Sequence, residues 1–226
     1  MNVNLINYSQ YPTEKILGVD VPSKKNLLDQ IAYCARVSNP SNQNNSETAE
    51  KLVRYLIKNQ HWSPLEMVSV CLEIETTRDI ARQILRHRSF SFQEFSQRYA
   101  DPTKDLDFEL REARLQDNKN RQNSIETNSV DLKDAWRVKQ QHIITAAKHT
   151  YEWAINNGIA KEQARTVLPE GLIGSKIYMN GTLRSWVHYI QLRSANGTQK
   201  EHREVALACA DAIEPIFPMI KEFINV

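Results

Sequence analysis

An alternation of apolar and polar side chains over residues 68–75 is the feature that most constrains how this chain can fold. The apolar positions of the run are Val68, Val70, Leu72 and Ile74. Between them stand Ser69, Cys71, Glu73 and Glu75. Successive side chains of a strand point to opposite faces, so the run predicts a strand that is buried on one face only. Amphipathic helical stretches lie on both sides without a regular strand–helix–strand alternation, which predicts an α+β domain.

The other predicted elements follow from the same two periodicities. Strands are expected at 1–8 and 172–179, and helices at 78–88, 182–194 and 199–213, with two more capped by Ser23 and Ser46. A long helix is expected over 131–157, ended by Gly158. Its predicted buried side carries Leu132, Trp136, Ile143, Ala147, Tyr151 and Ala154. Residues 100–130 are polar and predict a mobile loop or insertion within a single domain over 1–226.

Charge and hydropathy exclude several classes of protein. The 29 Lys and Arg residues nearly balance the 27 Asp and Glu residues, so neither nucleic acid nor an anionic membrane is expected to bind through bulk charge. No run approaches the roughly 20 apolar residues of a membrane span, and the first residues lack the pattern of a secretory signal. The chain is therefore expected to be a cytoplasmic protein without a membrane partner.

The spacing of glycine, cysteine and histidine narrows the chemistry. None of the six glycines forms a Gly-x-Gly, which excludes the dinucleotide-binding fingerprint and the P-loop. The three cysteines, Cys34, Cys71 and Cys209, are far apart and are expected to pack in helices and a strand. The six histidines lack the spacing of metal ligands, so no metal site is expected. A bound nucleotide needs phosphate ligands other than a glycine-rich loop.

Residues 82–99, with the sequence RQILRHRSFSFQEFSQRY, hold the densest group of side chains suited to ligand binding. On a helix that ends near His87, Gln83 and Arg86 project from one side and can meet one ligand. The extended segment after the helix is expected to carry on a common face Glu94, Ser96 and Arg98. Guanidinium groups bind phosphate or carboxylate through two hydrogen bonds, and an amide or carboxylate can read a base edge. The segment therefore suits a nucleoside monophosphate and a second anionic cofactor.

Two other interpretations of these arginines stay open on residue chemistry alone. Arginine-rich helix ends commonly lie in solvent or pair with acidic side chains. A nucleic-acid-binding module could use the same charges, although the net charge of only +2 disfavours it. The tripeptide at 86–88 is weak evidence by itself, whereas its combination with Ser96 is much more specific.

Arg86-His87-Arg88, followed after seven residues by Ser96, resembles the RHRx7S signature of the flavin-dependent thymidylate synthases. Four further segments resemble motifs of that family and occur in the family's order. They are ARVS at 35–38, HWSPLE at 61–66, ARTVLP at 164–169 and LRSWVHYIQLR at 183–193. The resemblance extends over about residues 35–193, which is most of the chain.

The resemblance implies an enzyme that transfers a methylene group from methylenetetrahydrofolate to C5 of dUMP and reduces it to methyl, giving dTMP. FAD mediates the transfer in this family, NADPH reduces the flavin, and no cysteine nucleophile is used. The family fold is a twisted, mostly antiparallel sheet flanked by helices. Family members are homotetramers whose active sites draw residues from more than one subunit, so the motifs of one chain need not converge.

The resemblance also implies roles for individual residues. The dUMP-binding set is Gln83, Arg86, Glu94, Ser96, Arg98, Arg165 and Arg193. Ser96, Arg98 and Arg193 are expected to be catalytic, the arginines by stabilising negative charge and Ser96 by orienting the pyrimidine. The FAD-binding set is Ser38, His61, Arg86, His87, Arg88, Glu94, Thr182, Arg184 and His188.

Some of these assignments keep an alternative. Thr182 stands near a position where many relatives have Asn, and His61 and His188 could instead serve in packing or capping. Arg184 and Arg193 could be surface helix charges. A flavoprotein that has lost its dUMP chemistry is a further alternative, which the presence of the dUMP-binding set disfavours.

Overall fold

The structure, a computed structural model, describes residues 1–10 and 26–225. In chain order, its strands and helices are β1 (Asn2–Tyr8), α1 (Leu27–Ala35), α2 (Ala49–Lys58), β2 (Ser69–Thr77), α3 (Arg78–Ile84), β3 (Phe90–Glu94), α4 (Pro102–Asp105), β4 (Arg114–Gln116), β5 (Ser124–Glu126), α5 (Val130–Asn156), α6 (Lys161–Ala164), β6 (Gly174–Thr182), α7 (Leu183–Arg193) and α8 (Lys200–Ile213). Short 3₁₀ turns are formed by Pro40–Asn42, Ser63–Met67, Arg165–Val167 and Pro218–Phe223.

Strand β2 lies inside the main sheet, whose strand order is β1–β2–β6–β3. Each neighbouring pair of this sheet is antiparallel, and Met179 of β6 lies between Leu72 of β2 and Phe92 of β3. Alternate residues of β2 are buried on one face. On the other face Glu73 accepts a hydrogen bond from the Tyr178 hydroxyl at 2.8 Å. The predictions of an α+β fold, a half-buried strand and a mostly antiparallel sheet are confirmed.

Helix α7 is fixed against the apolar face of the sheet by a buried tryptophan. Trp186 is 0% exposed and donates its indole N–H to the backbone carbonyl of Val70 at 3.0 Å. Its ring also meets the ring of Phe90 edge-on, with centroids 4.8 Å apart. A buried indole N–H needs a partner of this kind, so the contact sets the orientation of the helix as well as its burial. Both ends of α7 carry predicted site residues.

Residues 100–130 contain α4 and a β4–β5 hairpin where the sequence predicted a polar loop or insertion. Gln140 of α5, only 1% exposed, holds this segment through its backbone. Its amide oxygen accepts from Arg111 N at 2.8 Å, and its amide nitrogen donates to Arg111 O at 2.9 Å. Hydrophobic periodicity could not indicate these anchors because they are polar. The single-domain organisation over 1–226 stays a prediction.

Helix α5 departs from its predicted burial in its first half. Ala147, Tyr151 and Ala154 are buried as expected. The predicted core residues Leu132, Trp136 and Ile143 are instead 42%, 42% and 50% exposed. The helix packs against α6 and the following 3₁₀ turn near its C-terminal end, so its first turns extend beyond the core of this chain. Gly158, with φ of 78°, follows the helix as predicted.

Of the two predicted helix caps, the one at Ser46 is wrong and the one at Ser23 is not described by the structure. Ser46 does not cap α2, because the helix begins after Thr48, whose side chain makes no capping hydrogen bond. Helix α1 is capped by Asn26, whose side-chain oxygen accepts from Asp29 N at 2.9 Å. Ser23, predicted for that role, lies outside the described residues. None of the helices in 1–10 and 26–225 combines the length and apolar character needed to cross a membrane.

Candidate active site

The arginine–histidine–arginine segment at 86–88 connects α3 to β3 and is held against α7 and the sheet. Ser185 of α7 donates its hydroxyl to the carbonyl of Ser89 at 3.2 Å. The next residue, Phe90, lies so close to Gly181 of β6 that a Cβ there would be 2.4 Å from its ring. Only glycine leaves room for this approach. Residues 86–88 are therefore held at a defined position where the chain enters the sheet.

Gln83, His87, Tyr189, Arg193 and His202 form one contact network, the histidine cluster. Arg193 Nε donates to His87 Nε2 at 2.9 Å, and the His87 ring meets Tyr189 edge-on at 4.9 Å between centroids. His202 is 0% exposed, with Nε2 3.2 Å from the Tyr189 hydroxyl and Nδ1 3.3 Å from Gln83 Oε1. The cluster joins α3, α7 and α8. It brings together three predicted site residues from positions 83, 87 and 193.

Both histidines of the cluster are neutral at pH 7. Burial, with the charges of Arg193 and Arg86, lowers the pKa of His87 to about 4. Burial and nearby positive charge lower the pKa of His202 to about 3. Because neutral His87 accepts from Arg193 through Nε2, its proton lies on Nδ1. The pKa of Arg193 is itself lowered by burial and by repulsion from Arg86, so this cluster favours an anionic ligand.

The predicted arginines fall into two classes by their partners. Arg86, Arg88, Arg165 and Arg193 have no ion pair with a carboxylate among residues 1–10 and 26–225. Arg98 pairs with Glu162 at 3.2 Å, and Arg184 pairs with Glu66. Guanidinium groups without a protein carboxylate are available to phosphate or another anion.

A cavity of about 270 Å³, the arginine cavity, lies beside α3 and is lined by Arg78, Arg82, Gln97 and Arg165 among others. Nη1 of Arg78 and Nε2 of Gln97 are buried and have no hydrogen-bond partner among residues 1–10 and 26–225. Glu94 Oε1 lies 3.4 Å from Arg78 Nη1, close enough for attraction but without hydrogen-bond geometry. An unsatisfied buried donor costs about 1–3 kcal/mol. A ligand that carries several oxygens would satisfy both donors.

Strand β3 ends at Glu94, before Ser96 and Arg98. The chain turns there, since Tyr99 N donates to Ser96 O at 3.1 Å and Ser96 Oγ accepts from Arg98 N at 3.4 Å. The Arg98 side chain is 62% exposed and reaches Glu162. The predicted common face of Glu94, Ser96 and Arg98 is therefore wrong, because a turn replaces the extended backbone on which that prediction relied.

Three of the predicted flavin-binding residues lie in the first half of α7 or at its N-cap. Thr182 caps the helix, its hydroxyl oxygen accepting from the backbone N–H of Ser185 at 3.3 Å. The His188 ring meets Trp62 edge-on with centroids 4.8 Å apart, and its pKa is lowered by burial and by Arg184. Nε of Arg184 is buried and finds no hydrogen-bond partner in the part of the chain that the structure describes. This surface thus offers a cation, an aromatic ring and an unused donor.

Ser38 follows α1 along the chain, and His61 follows α2. Ser38 lines a cleft of about 570 Å³, the helix cleft, between the C-terminal end of α1 and α2. Tyr55 of α2 lines the same cleft and meets the ring of His61 edge-on at 6.3 Å between centroids. The ring contact connects the cleft to the turn that carries His61 and Trp62.

The structure therefore places most of the predicted residues in three groups rather than one. The groups are the histidine cluster, the arginine cavity, and the surface around Arg184 together with the helix cleft that the His61 and Trp62 rings connect to it. Arg82 and Gln83 are adjacent on α3 and link the arginine cavity to the histidine cluster, while α7 links that cluster to the surface around Arg184. Sequence reasoning missed Arg78, Gln97, Tyr189, His202 and Glu66 as participants. Spacing offered a signal only for Arg78, which is four residues from Arg82 on one helix.

The cysteines lie outside all three groups. Cys209 is buried in α8, and Cys34 and Cys71 are half-buried in α1 and β2. Burial raises the pKa of each thiol, which keeps it protonated at neutral pH. Among the residues that the structure describes, no three His, Cys, Asp or Glu side chains are grouped to hold a metal ion.

Residues 22–219 match the sequence profile of the family described as Thymidylate synthase complementing protein. A Paramecium bursaria Chlorella virus 1 protein named "Probable flavin-dependent thymidylate synthase" is 47% identical over 195 residues, which cover 86% of this chain and 89% of that protein. The flavin-dependent thymidylate synthase of Synechocystis sp. is 48% identical over 190 residues, covering 84% of this chain and 86% of that protein.

The fold is similar to that of PolB, a UMP/dUMP methylase from Streptomyces cacaoi whose crystal structure contains 5-Br dUMP. The TM-score is 0.76, and the alignment covers 98% of this chain and 93% of that chain at 24% identity. At 24% identity, this similarity establishes the fold and not the activity. The profile match and the two relatives decide the family, and this chain belongs to the flavin-dependent thymidylate synthases.

Proposed function

We propose that this chain converts dUMP to dTMP as an active flavin-dependent thymidylate synthase. The balanced reaction consumes dUMP, methylenetetrahydrofolate, NADPH and a proton, and it yields dTMP, tetrahydrofolate and NADP⁺. The observation that carries the proposal is the neutral His87 paired with Arg193, beside Arg86, in a chain 47% and 48% identical to proteins named for this activity.

The side chains of this chain fit FAD. Within the described residues, Nε of Arg184 is a buried donor without a partner, and neither Arg86 nor Arg88 pairs with a carboxylate. Such donors suit a pyrophosphate, which no glycine-rich loop of this sequence can hold. Bound FAD supplies the redox chemistry that reduces the transferred methylene. The residues that we assign to FAD are Ser38, His61, Arg86, His87, Arg88, Glu94, Thr182, Arg184 and His188.

The histidine cluster and the arginine cavity supply our proposed dUMP site. The assigned residues are Gln83, Arg86, Glu94, Ser96, Arg98, Arg165 and Arg193. Arg193, held by His87, has N–H groups left for a uracil carbonyl, where they would stabilise negative charge on the activated pyrimidine. In the cavity, Arg165 lies beside the unsatisfied donors of Arg78 and Gln97, an arrangement that suits phosphate. Arg98 has to break its ion pair with Glu162 before it can bind the ligand.

Catalysis in this proposal uses Ser96, Arg98 and Arg193, and no thiol. Ser96 orients the pyrimidine and is not a nucleophile, since its hydroxyl accepts from Arg98 N and contacts no general base in the described residues. The arginines stabilise the developing charge on the pyrimidine. A thiolate is not available for addition to the base, because burial raises the pKa of every cysteine.

We further propose a homotetramer with shared active sites. One chain separates the assigned residues into three groups, and a partner subunit can bring the missing group to each. The first half of α5 supports assembly, because it exposes apolar side chains that a partner would cover. We expect the dTMP-forming activity to elute at the tetramer mass in size-exclusion chromatography. Activity in a monomer fraction contradicts this point. NADPH and methylenetetrahydrofolate have no assigned residues, and the cytoplasmic location stays a sequence prediction.

The test is dTMP formation from dUMP, methylenetetrahydrofolate and NADPH by the flavin-loaded protein. Arg193→Ala is expected to raise the Kd for dUMP about 10- to 100-fold while FAD stays bound, since it removes a charged hydrogen-bond donor. Arg88→Ala is expected to weaken FAD and spare dUMP. Arg137→Ala is the control, because that side chain is 53% exposed and forms an ion pair with Asp134, outside the groups assigned to either ligand.

Two results would overturn the proposed function, and a third would overturn its residue assignments. Absence of dTMP with bound flavin and all co-substrates indicates a flavoprotein without dUMP chemistry. Steeply salt-dependent binding of DNA or RNA with no bound flavin indicates a nucleic-acid-binding module. Equal effects of Arg193→Ala and Arg88→Ala on both ligands contradict the separate assignments.

A further inference from the structure

A continuous chain of hydrogen bonds runs from α8 into the histidine cluster. Gln199 Nε2 donates to Glu201 Oε2 at 2.9 Å, and Gln83 Nε2 donates to Gln199 Oε1 at 2.7 Å. The other end of the Gln83 amide, Oε1, lies 3.3 Å from Nδ1 of His202. Nε2 of the same imidazole lies 3.2 Å from the Tyr189 hydroxyl. Five side chains thus form one unbranched path.

Glu201, at one end of this path, is an ionised carboxylate. Its side chain is 15% exposed and lies 2.5 Å from Arg114 and 3.5 Å from Arg111. Partial burial raises its pKa, but the hydrogen bond from Gln199 and the charges of the two arginines outweigh burial and leave the pKa lowered. An ionised carboxylate accepts hydrogen bonds and donates none.

That restriction determines the direction of each later link. Gln199 must donate its N–H to Glu201, so its carbonyl faces Gln83. Gln83 must therefore donate its own N–H to that carbonyl. The Gln83 carbonyl then faces His202, which has to donate from Nδ1. His202 is neutral at pH 7, so its Nε2 carries no proton and accepts from the Tyr189 hydroxyl. Reversing any one amide would set two donors or two acceptors against each other.

We propose that Glu201 and His202 are positioning residues for Gln83. Glu201 sets the direction of the chain, and His202, in its Nδ1–H form, holds the Gln83 amide in one of its two orientations. The amide then keeps one N–H and one carbonyl lone pair free to meet a nucleotide. This inference rests on the proposed function, in which Gln83 binds dUMP. Neither positioning residue belongs to the assigned dUMP or FAD sets.

The first test reads the tautomer of His202 directly. The ¹⁵N magic-angle-spinning NMR spectrum of the flavin-loaded protein, labelled at histidine and compared with a His202→Asn sample for assignment, distinguishes protonated from bare ring nitrogens. We expect protonated Nδ1 and bare Nε2 in the wild type. In Glu201→Gln the new amide can donate or accept, so we expect a substantial Nε2–H population.

The control for this spectrum is Glu112→Gln. Glu112 contacts Arg114 at 3.0 Å and Lys200 at 2.7 Å. The substitution therefore removes a carboxylate charge from the same ionic group without changing any side chain of the hydrogen-bonded path. The His202 tautomer is expected to stay unchanged in this variant. A wild-type His202 protonated on Nε2, or a tautomer that is the same in Glu201→Gln as in the wild type, overturns the proposal.

The second test uses two amide substitutions at the same site, which place the amide nitrogen at different distances from the backbone. The amide nitrogen of His202→Asn takes a place near that of Nδ1 and can still donate to Gln83, whereas His202→Gln reaches toward Tyr189 instead. We expect the Kd and KM for dUMP to rise about tenfold in His202→Gln, which corresponds to about 1.4 kcal/mol. In His202→Asn the rise is expected to stay within about twofold. Equal effects in the two variants, or none, contradict a positioning role.

These results separate the inference from the proposed function. The tautomer measurement needs no dUMP, so it tests the direction of the chain even if the wild type binds no nucleotide. Failure of the wild type to bind dUMP overturns the proposed function alone. A wild type that forms dTMP, with a His202 tautomer unaffected by Glu201→Gln, overturns the positioning role alone.

Discussion

Replacing Gly181 by alanine is expected to destabilise the protein, because the ring of Phe90 occupies the space that a methyl group needs. A Cβ at Gly181 would lie 2.4 Å from Cδ1 and 2.6 Å from Cε1 of that ring. The ring has little freedom to move, since it packs edge-on against Trp186 at 4.8 Å and Tyr189 at 6.0 Å between centroids. Strand β3 must therefore shift away from β6, or the ring must leave its preferred rotamer.

The size of the effect follows from two opposing contributions. Overpacking of this kind costs about 1–3 kcal/mol. Replacing glycine also restricts the conformations of the unfolded chain, which raises the free energy of unfolding by about 0.4–1 kcal/mol. The net loss is about 1–2 kcal/mol in the free energy of unfolding. For a chain of this length, that loss lowers Tm by about 2–8 °C.

The assay is urea and thermal unfolding of the flavin-free protein, followed by circular dichroism. Gly197→Ala is the matched control, because no atom of the described residues beyond its own chain neighbours lies within 4 Å of a Cβ at that position. Adding Phe90→Leu to Gly181→Ala should restore part of the loss, since the smaller side chain relieves the clash. FAD affinity should fall as well, because residues 86–88 lead directly into β3. Equal stability of Gly181→Ala and Gly197→Ala refutes the reasoning.

Two further predictions concern the thiols and a buried histidine. Joint replacement of Cys34, Cys71 and Cys209 by alanine should preserve dTMP formation, because burial raises the pKa of each thiol; complete loss in a folded, flavin-loaded variant contradicts a thiol-free reaction. The pKa of His202 is lowered to about 3 from its usual 6.5, so the unfolded state binds the proton first and stability falls as pH drops below about 6.5. At pH 5 this linkage costs about 2 kcal/mol relative to pH 7, measured by urea unfolding, and His202→Asn should remove it; an equal pH dependence in the variant argues against the assignment.

Local periodicity was sufficient to predict the elements that hold the site. The two-residue alternation of β2 and the helical patterns of α7 and α8 are confirmed, because each depends on side chains within a few residues of one another. The same reasoning failed where burial depends on distant parts of the chain. Trp136 has the spacing of a core residue yet is 42% exposed, since the first half of α5 extends past the core of this chain.

The candidate site was predictable to a smaller extent. Motif spacing indicated Gln83, His87 and Arg193, and the structure brings them into one cluster. It could not indicate His202, which reaches Gln83 across 119 residues only because α8 packs against α3. It also misplaced Arg98, because an extended strand and a turn after Glu94 are not distinguished by the side chains that follow.

The sequence by itself determined the family and the chemistry available to this protein, since the order of arginines, histidines and serine is a property of the chain alone. Packing between elements decided the rest. Side-chain protonation, hydrogen-bond direction and the separation of the arginines into paired and unpaired groups depend on which helices meet. The ionised Glu201 imposes a direction on Gln83 only because α8 brings its first turn against α3, and that is a contact in space that linear spacing does not encode.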